Sequence, residues 1–413
     1  MSQKNTSFPR FPLSAEAARA NKKLDFDGKP FTSFVHFGGF IWLQSTIARD
    51  LKTLPRPSNV HLHFPFEKFG FEALVKPLPP APPGYQPPVP FEVLAENLRH
   101  DLIFFGTPQA IMNTFLPSDL LSMVEEAGVR LAGSVHLQAG WEQGPLGEVG
   151  ETKWLQEEVN APSKGQVATG IVGMVDLLNN TPETVRAQLK AHFQYSAFRG
   201  IRYILAHPRA GMNDFTFNPR DNLVDDPTFL KNFAVLEEFG AEFDLYCYGH
   251  QLHQAIKLAK KFPNIRMALN HFGTPIDVAN DKKVYNKWVE DMRELSKCPN
   301  VYCKLSGLMV PLGFREFLYK KPWNTAGPTA REIADSVYGD MIKTTVKLFG
   351  VERCFFGSNF LVDWASARYG ELLASYVLSL EDMGVTSKAD LRKIFRENCA
   401  RFYKLTLTDE AKL

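Results

Sequence analysis

The 413-residue sequence lacks the features that mark several classes of protein. Its five cysteines form no Cys-x-x-Cys pair, which fits a reducing compartment. The formal net charge is only +2, so neither nucleic acid nor an anionic membrane is a predicted partner. No stretch approaches the roughly 18 apolar residues of a membrane span, and the N-terminus lacks the apolar core of a signal peptide. These absences favour a globular protein that acts on a small molecule.

A regular alternation of strand-like and helix-like segments predicts the fold. Short apolar or β-branched runs predict eight strands: Asn59–Phe64, Val129–Gln138, Val167–Leu177, Gly200–Ala206, Glu242–Tyr248, Ile265–His271, Val301–Gly307 and Arg353–Phe360. Eight strand–helix units are typical of an α/β protein with a closed (β/α)8 TIM barrel. An open doubly wound sheet is the alternative, but no Gly-x-Gly-x-x-Gly turn follows the first strand, which favours the barrel.

Helix start signals support this alternation. Capping residues precede three predicted helices: Thr181 before Val185–Tyr195, Asp226 before Phe229–Phe239, and Ser387 before Leu391–Tyr403. Each helix follows a predicted strand, as a barrel requires.

The barrel is predicted to occupy most of the chain. Residues 1–57 form an irregular N-terminal extension, residues 58–406 the barrel, and residues 407–413 a C-terminal tail. The segment Pro77–Pro90 (PLPPAPPGYQPPVP) is too rich in proline for a helix or a central strand, so we expect a surface insertion. The extension would wrap the barrel or join a subunit contact, and together with the terminal helix it would suit a homodimer.

The most informative short motif is Asn59-Val-His-Leu-His63. Side chains one residue apart on a strand point to the same face, so His61 and His63 would share a metal ion or a substrate oxygen. A pair of partly buried histidines bonded to neighbouring carbonyls is the alternative.

Polar residues at the ends of the other predicted strands complete a candidate site. In a barrel, function collects at the C-terminal ends of the strands. The residues found there are Arg202, His250, Asn270, His271, Lys304, Ser306, Asn359 and Asp363. Buried cations without partners are costly, so Arg202 and Lys304 favour an anionic ligand over pairing with barrel acids. His136 and His207 are second-rank candidates, whereas His100, His192 and His253 are predicted to lie on the surface.

The chain resembles the amidohydrolase-related family, the lactonase branch of the metal-dependent hydrolase superfamily. The matching segments are NVHLH at 59–63, GIR at 200–202, FDLYCYGHQL at 243–252, LNHFGTPID at 269–277, NVYCKLSGL at 300–308, ERCFFGSNF at 352–360 and ENCARFYKL at 397–405. The resemblance implies a (β/α)8 barrel that hydrolyses lactones or amides, with relatives that decarboxylate aromatic or unsaturated acids. It also implies that the strand-1 histidine pair and an aspartate of a Gly-Ser-Asp motif hold or replace a divalent metal.

Two positions depart from that pattern. Position 359 is Asn and position 59 is Asn, where family members have Asp. An amide cannot act as a base or balance a dication as a carboxylate does. A metal, with Zn²⁺ as the first choice, would therefore bind weakly through His61, His63 and His271. We favour a metal-independent site over this metal-bound one, and an inactive binding protein is the third possibility.

The mechanism that follows from the resemblance is hydrolytic opening of a small carboxylate-bearing lactone or related cyclic ester. Arg202 and Lys304, with His250 nearby, would bind the anionic substrate, and His61 and His63 would polarise the carbonyl. His271, helped or replaced by Asp363, would activate water, and Ser306 or Asn359 would orient the substrate. Non-oxidative decarboxylation of an aromatic or unsaturated acid is the alternative reaction.

The sequence ends in Ala411-Lys412-Leu413, a variant of the Ser-Lys-Leu signal that peroxisomal import receptors bind. We expect a peroxisomal location if the protein is eukaryotic and a cytoplasmic one otherwise.

Overall fold

The computed structural model describes residues 12–26, 31–32, 117–139, 146–207, 218, 220–307, 327–360, 363 and 367–407. Several of the predicted features lie outside these residues. They are Asn59, His61, His63, His100, the insertion Pro77–Pro90 and the terminal tripeptide Ala411–Leu413.

Parallel strands in consecutive order form the main sheet. The strands of the described residues are β1 Phe31–Thr32, β2 Leu131–Gly133, β3 Val135–Leu137, β4 Gly170–Gly173, β5 Phe198–Ile204, β6 Glu242–Tyr246, β7 Met267–Leu269, β8 Val301–Leu305 and β9 Cys354–Phe356. Strands β3 to β9 form a seven-stranded sheet in which each strand pairs with the next one in the chain. Strands β1 and β2 form a separate parallel pair.

The consecutive order excludes the doubly wound alternative. A doubly wound sheet reverses its strand order at a switch point, whereas β3 to β9 follow one another without reversal. The fold is therefore α/β and TIM-barrel-like. The predicted first strand, Asn59–Phe64, lies outside the described residues, so closure by an eighth strand stays a prediction.

The seven predicted strands that fall on described residues each have a counterpart, and most are shorter than predicted, whereas Phe198–Ile204 has the predicted length but begins two residues earlier. The predicted strand Val129–Gln138 is divided into β2 and β3 at Ser134. There the backbone N–H of Ser134 donates to Thr169 Oγ1 at 3.0 Å, and Ser134 Oγ accepts from the N–H of Ala168 at 2.9 Å. Side-chain hydrogen bonds thus replace the sheet ladder at this point, which the apolar pattern could not reveal.

Helices separate the strands and cover the sheet. They are α1 Ala15–Lys22, α2 Pro117–Glu126, α3 Val149–Trp154, α4 Pro182–His192, α5 Pro227–Phe239, α6 Leu252–Lys261, α7 Lys282–Ser296, α8 Ala330–Ala334, α9 Val337–Phe349, α10 Tyr369–Asp382, α11 Lys388–Arg392 and α12 Asn398–Phe402. The predicted caps are confirmed, because Thr181, Asp226 and Ser387 each accept a backbone N–H at a helix start. No helix of the described residues is long and apolar enough to cross a bilayer.

The C-terminal segment packs against the start of the sheet. Phe402 and Tyr403 belong to a buried cluster with Val135, Val172 and Phe355, which come from strands β3, β4 and β9. Glu242, at the start of β6, binds Arg266 and, at 3.0 Å, Lys404. This end of the sheet is therefore covered by the last described helix, and the C-terminal ends of the strands lie at the opposite end.

The N-terminal extension is more ordered than the sequence predicted. Helix α1 packs against α10, and Ser14 donates to the buried carboxylate of Glu371 from its backbone N–H at 2.7 Å and from its hydroxyl at 3.0 Å. Asn21 donates to the carbonyls of Ala127 and Gly370. The prediction of an irregular extension is wrong for Ala15–Lys22, because Ser14 caps a helix whose buried alanines pack on the barrel.

Candidate active site

Charged side chains from separate strands meet inside the sheet. Lys304 of β8 donates to Asp244 Oδ1 of β6 at 2.7 Å, with exposed fractions of 2% and 0% for the two side chains. Ala268, the register partner of Asp244 on the intervening strand β7, is small and leaves room for this contact. Arg202 of β5 is the register partner of Asp244 on the other side. The sheet thus places one carboxylate between two cations.

Asp244 accepts hydrogen bonds on both of its oxygens. Asn270 Nδ2 donates to Oδ1 at 2.8 Å, and the Tyr403 hydroxyl donates to Oδ2 at 2.6 Å. Neither Asp244 nor Tyr403 was among the candidates from the sequence. The signal for Asp244 was a carboxylate in the middle of an apolar strand, but Tyr403 belongs to a helix distant in sequence.

Lys304 has a carboxylate partner within the protein, and its predicted role in substrate binding stays a prediction. Burial lowers the pKa of Lys304, and Asp244 acts in the opposite direction. The charge of Lys304 is thus balanced by Asp244 within the protein. The alternative in which this cation pairs with a barrel acid therefore holds for Lys304.

Arg202 lies deep in the same group. Its Nη2 donates to the backbone carbonyl of Gln138 at the end of β3. Burial lowers the pKa of Arg202, while Asp244 and, more weakly, Glu151 raise it. A guanidinium always retains its charge in proteins, so Arg202 is a fixed cation of the site.

His271 is held against the end of the neighbouring strand. Its Nδ1 lies 2.9 Å from Ser306 Oγ, and the ring of Tyr246 packs edge-on at 5.4 Å between centroids. Burial, followed by the charges of Lys304 and Arg202, holds the pKa of His271 well below its usual range. The imidazole is therefore neutral near pH 7. With Nδ1 donating to Ser306, Nε2 carries the lone pair that can accept a proton.

A left-handed turn orients this histidine. His271, Phe272, Gly273 and Thr274 have φ values of 52°, 54°, 72° and 40°, which is one turn of left-handed backbone. For residues other than glycine this conformation costs about 1–2 kcal/mol each. Strain of this kind persists only where surrounding contacts enforce it, and it is frequent at functional sites.

Gly307 allows the close approach of the His271 ring. A Cβ added at Gly307 would lie 2.3 Å from His271 Nδ1, closer than atoms can pack, and the φ of Gly307 is +65°. Only glycine satisfies both conditions. The Ser-Gly pair after β8 thus forms the wall on which the imidazole rests.

Asn359 and Asp363 form a second polar pair after β9. Asn359 Nδ2 donates to Asp363 Oδ1 at 2.7 Å, and both side chains are buried. Asn359 has a φ of 50°, so this residue too lies in the left-handed region. The amide at position 359 therefore binds the nearby carboxylate directly.

His250 lies apart from these groups. It is on the short helix Gly249–Gln251 and lines a cavity of about 260 Å³ together with Pro275, Ile276 and Trp288. Its ring stacks on Tyr248 at 6.0 Å between centroids. The residue before His250, Gly249, donates to the carbonyl of Thr274 at the end of the His271 turn, and a role for His250 in binding the same substrate group as Arg202 stays a prediction.

The remaining histidines of the described residues contact protein groups or lie at the surface. His136 Nε2 lies 3.0 Å from Glu151 Oε1, and His207 Nδ1 lies 2.7 Å from the carbonyl oxygen of Asn218. The prediction that His192 lies on the surface is wrong, because it is fully buried, whereas His253 is exposed as predicted. A single histidine near a helix end carries no signal that separates these cases.

Comparison with known proteins identifies the family. A family model described as amidohydrolase matches residues 59–405. The chain belongs to the amidohydrolase family. The matched range is the one over which the sequence motifs resemble that family. Membership of the family and the lactonase relatives support a hydrolase.

Two curated relatives have the greatest bearing on this amidohydrolase. The protein y4mH of Sinorhizobium fredii, whose function is uncharacterized, is 30% identical over 301 residues, or 73% of this chain and 89% of y4mH. The L-fucono-1,5-lactonase of Burkholderia ambifaria is 25% identical over 300 residues, or 72% of this chain and 88% of the lactonase.

A solved amidohydrolase from Burkholderia multivorans has the same fold. Its structure with bound HEPES is 23% identical, has a TM-score of 0.55, and aligns with 74% of this chain and 94% of the solved one. A second crystal form of that protein holds zinc, again with a TM-score of 0.55, over 72% of this chain and 91% of the other.

The described residues of this amidohydrolase do not by themselves fit a divalent metal, although members of the family are typically metal-dependent. Across the described part of the chain, no three His, Cys, Asp or Glu side chains come together as a metal-binding group. His271, the described candidate ligand, lies in the field of Lys304 and Arg202, which would repel a dication. Asn359 supplies a neutral amide instead of a carboxylate. The other predicted ligands, His61 and His63, lie outside the described residues.

Proposed function

We propose that this amidohydrolase opens a small lactone by the attack of water at the C-terminal end of the sheet. The observation that carries the proposal is the buried His271, whose Nδ1 is fixed by Ser306 and whose pKa is lowered by burial and two cations. The L-fucono-1,5-lactonase relatives support the choice of a cyclic ester as substrate.

His271 acts as the general base in this proposal. Its neutral ring accepts a proton from water at Nε2, while Ser306 and Gly307 hold the opposite edge. Attack on the lactone carbonyl breaks the ring C–O bond and yields a hydroxy acid. The proton taken from water then passes to the leaving ring oxygen.

Positive charge stabilises the oxygen of the tetrahedral intermediate. Arg202 is buried in the same group and lowers the pKa of His271, so its field extends to the reacting atoms. His61 and His63 keep their predicted role of polarising the carbonyl. Asp363, bound by Asn359, is the carboxylate that would assist His271.

The charge balance favours an uncharged substrate over the carboxylate-bearing lactone that the sequence predicted. Lys304 is paired with Asp244, and Arg202 lies near Asp244 and Glu151, so both described cations already face carboxylates. A sugar lactone offers hydroxyl groups that need no unpaired cation. We therefore propose a neutral sugar lactone as the preferred substrate.

Product analysis tests the proposal. Purified protein is incubated with L-fucono-1,5-lactone and, separately, with 2-pyrone-4,6-dicarboxylate, and products are measured by mass spectrometry and acid release. Gain of one water with faster turnover of the neutral lactone is the expected result. Faster turnover of the dicarboxylate would favour the carboxylate-bearing substrate that the sequence predicted. Release of CO2 from an aromatic acid without lactone hydrolysis would instead establish a decarboxylase.

A further inference from the structure

We propose that Trp288 positions His271 by holding the left-handed turn that carries it. The catalytic part of this inference rests on the proposed function, but the structural part does not. Trp288 lies on α7, outside the sheet. Its indole Nε1 donates to the backbone carbonyl of Phe272 at 2.8 Å.

The hydrogen bonds of the turn show why this donor matters. The carbonyls of Asn270 and His271 accept from the N–H groups of Gly273 and Thr274 at 2.9 and 2.7 Å. The carbonyl of Thr274 accepts from Gly249 at 3.0 Å. Backbone donors thus serve these three groups. The Phe272 carbonyl, in the middle of the turn, receives its hydrogen bond from a side chain.

Burial makes that hydrogen bond hard to replace. Phe272 and Trp288 are 0% and 2% exposed, so water does not readily reach the carbonyl. A buried carbonyl that loses its donor favours another backbone conformation. For this turn the alternative is the relaxed right-handed region, which would move the His271 ring away from Ser306.

The position of Trp288 is set independently of the turn. Helix α7 begins at Lys282 and is capped by Asp281, whose side chain accepts the N–H of Lys283 at 2.7 Å. The Tyr285 ring packs against the indole at 5.6 Å between centroids. The helix therefore presents the indole N–H from a rigid frame, which is what a positioning residue requires.

The sharpest test removes the N–H and keeps the shape. Site-specific Trp288→benzothienylalanine replaces the indole nitrogen by sulfur, so the packing is retained and the donor is lost. We expect kcat on the lactone to fall about tenfold, the loss expected for one hydrogen bond, with KM changed less than about twofold. Trp288→Phe should show at least the same loss. The same replacement at the partly buried Trp154 is the matched control and should leave both constants unchanged.

A second measurement separates this inference from the proposed function. Protein labelled with ¹⁵N-histidine reports the tautomer of His271 at fixed pH near 7, whether or not a substrate is known. We expect one fixed tautomer in the wild type and averaged signals in Trp288→benzothienylalanine. An unchanged His271 spectrum in a folded variant, or a fall in kcat equal to that of the Trp154 control, would overturn the role of Trp288. A wild type inactive on lactones, but with the expected spectral change, would remove only the proposed function.

Discussion

Lys304 and Asp244 form an ion pair inside the sheet, with 2.7 Å between Nζ and Oδ1 and almost no exposure of either side chain. The pair joins strands β6 and β8 across β7, and it is extended by Asn270 and Tyr403. It therefore couples the strands that carry the candidate site to the C-terminal segment that closes the other end of the sheet.

Breaking this pair should be costly. Asp244→Asn leaves the Lys304 ammonium buried without a countercharge, which is expected to lower the free energy of unfolding by about 3–5 kcal/mol. Asp244→Asn combined with Lys304→Met removes both charges and should recover most of that loss. Urea unfolding followed by circular dichroism measures all three proteins.

The exposed pair Lys297–Glu294 supplies the control for this experiment. Its side chains are 63% and 50% exposed. Glu294→Gln should therefore leave the midpoint of urea unfolding almost unchanged. A similar small effect in Asp244→Asn would mean that the buried pair has no special role.

Loss of the proposed base should affect turnover more than folding. His271→Ala is expected to lower kcat on the lactone by about 100-fold or more, because the proton acceptor is removed. His253→Ala removes an exposed histidine and serves as the control. Steady-state rates are compared after circular dichroism shows that both variants are folded. An unchanged rate in His271→Ala would exclude this residue from the mechanism.

Metal removal tests the metal-independent site. Asn59 and Asn359 replace the carboxylates that would balance a dication, so protein dialysed against EDTA should retain its lactone turnover to within about twofold. Elemental analysis of the same sample determines the metal content. Loss of activity on chelation, with recovery on addition of zinc, would contradict this prediction. It would favour a metal site formed by His61, His63 and His271 in spite of the amides at Asn59 and Asn359.

His192 should make stability depend on pH. It is buried, with Thr152 Oγ1 at 2.9 Å from Nδ1 and the Met174 carbonyl oxygen at 3.1 Å from Nε2. Burial lowers its pKa from 6.5 to about 4. Between pH 6.5 and about 4, His192 is protonated in the unfolded chain but neutral in the folded protein. Stability from this residue is therefore complete above pH 6.5, falls as the pH approaches 4, and is constant below that.

The full loss amounts to about 3 kcal/mol. Urea unfolding at pH values of about 7 and about 5 measures the part of this loss that falls between the two, about 2 kcal/mol, in the wild type and in His192→Phe, which keeps a ring to stack on Phe198. The variant should show the smaller decrease. Equal decreases would mean that His192 is protonated in the folded protein.

Much of the fold could be predicted because the hydrophobic period is a local property. The alternation of strands and helices, the three caps and the polar residues at strand ends could all be seen in the sequence. The order of strands in the sheet follows from consecutive right-handed connections, which leave few alternatives. The interruption at Ser134 and the helix Ala15–Lys22 were missed, since each depends on side-chain contacts with distant segments.

The candidate site was predicted in part for the same reason. His271 and Ser306 were both candidates, and the structure brings them together at 2.9 Å. Lys304 was a candidate as well, but its partner Asp244 and the hydroxyl of Tyr403 were not. A buried cation can be recognised from the pattern of its own strand. The group that balances its charge lies on another segment, which only the tertiary structure identifies.

The sequence by itself determined the types of secondary structure, the residues that end the strands and the membership of the amidohydrolase family, because these depend on neighbours and on motifs read along the chain. The tertiary structure alone decided which charges are paired, which histidine is neutral and how the His271 turn is held. Those properties depend on distance and burial in three dimensions, and contacts such as Trp288 with Phe272 or Tyr403 with Asp244 exist only after folding has brought the segments together.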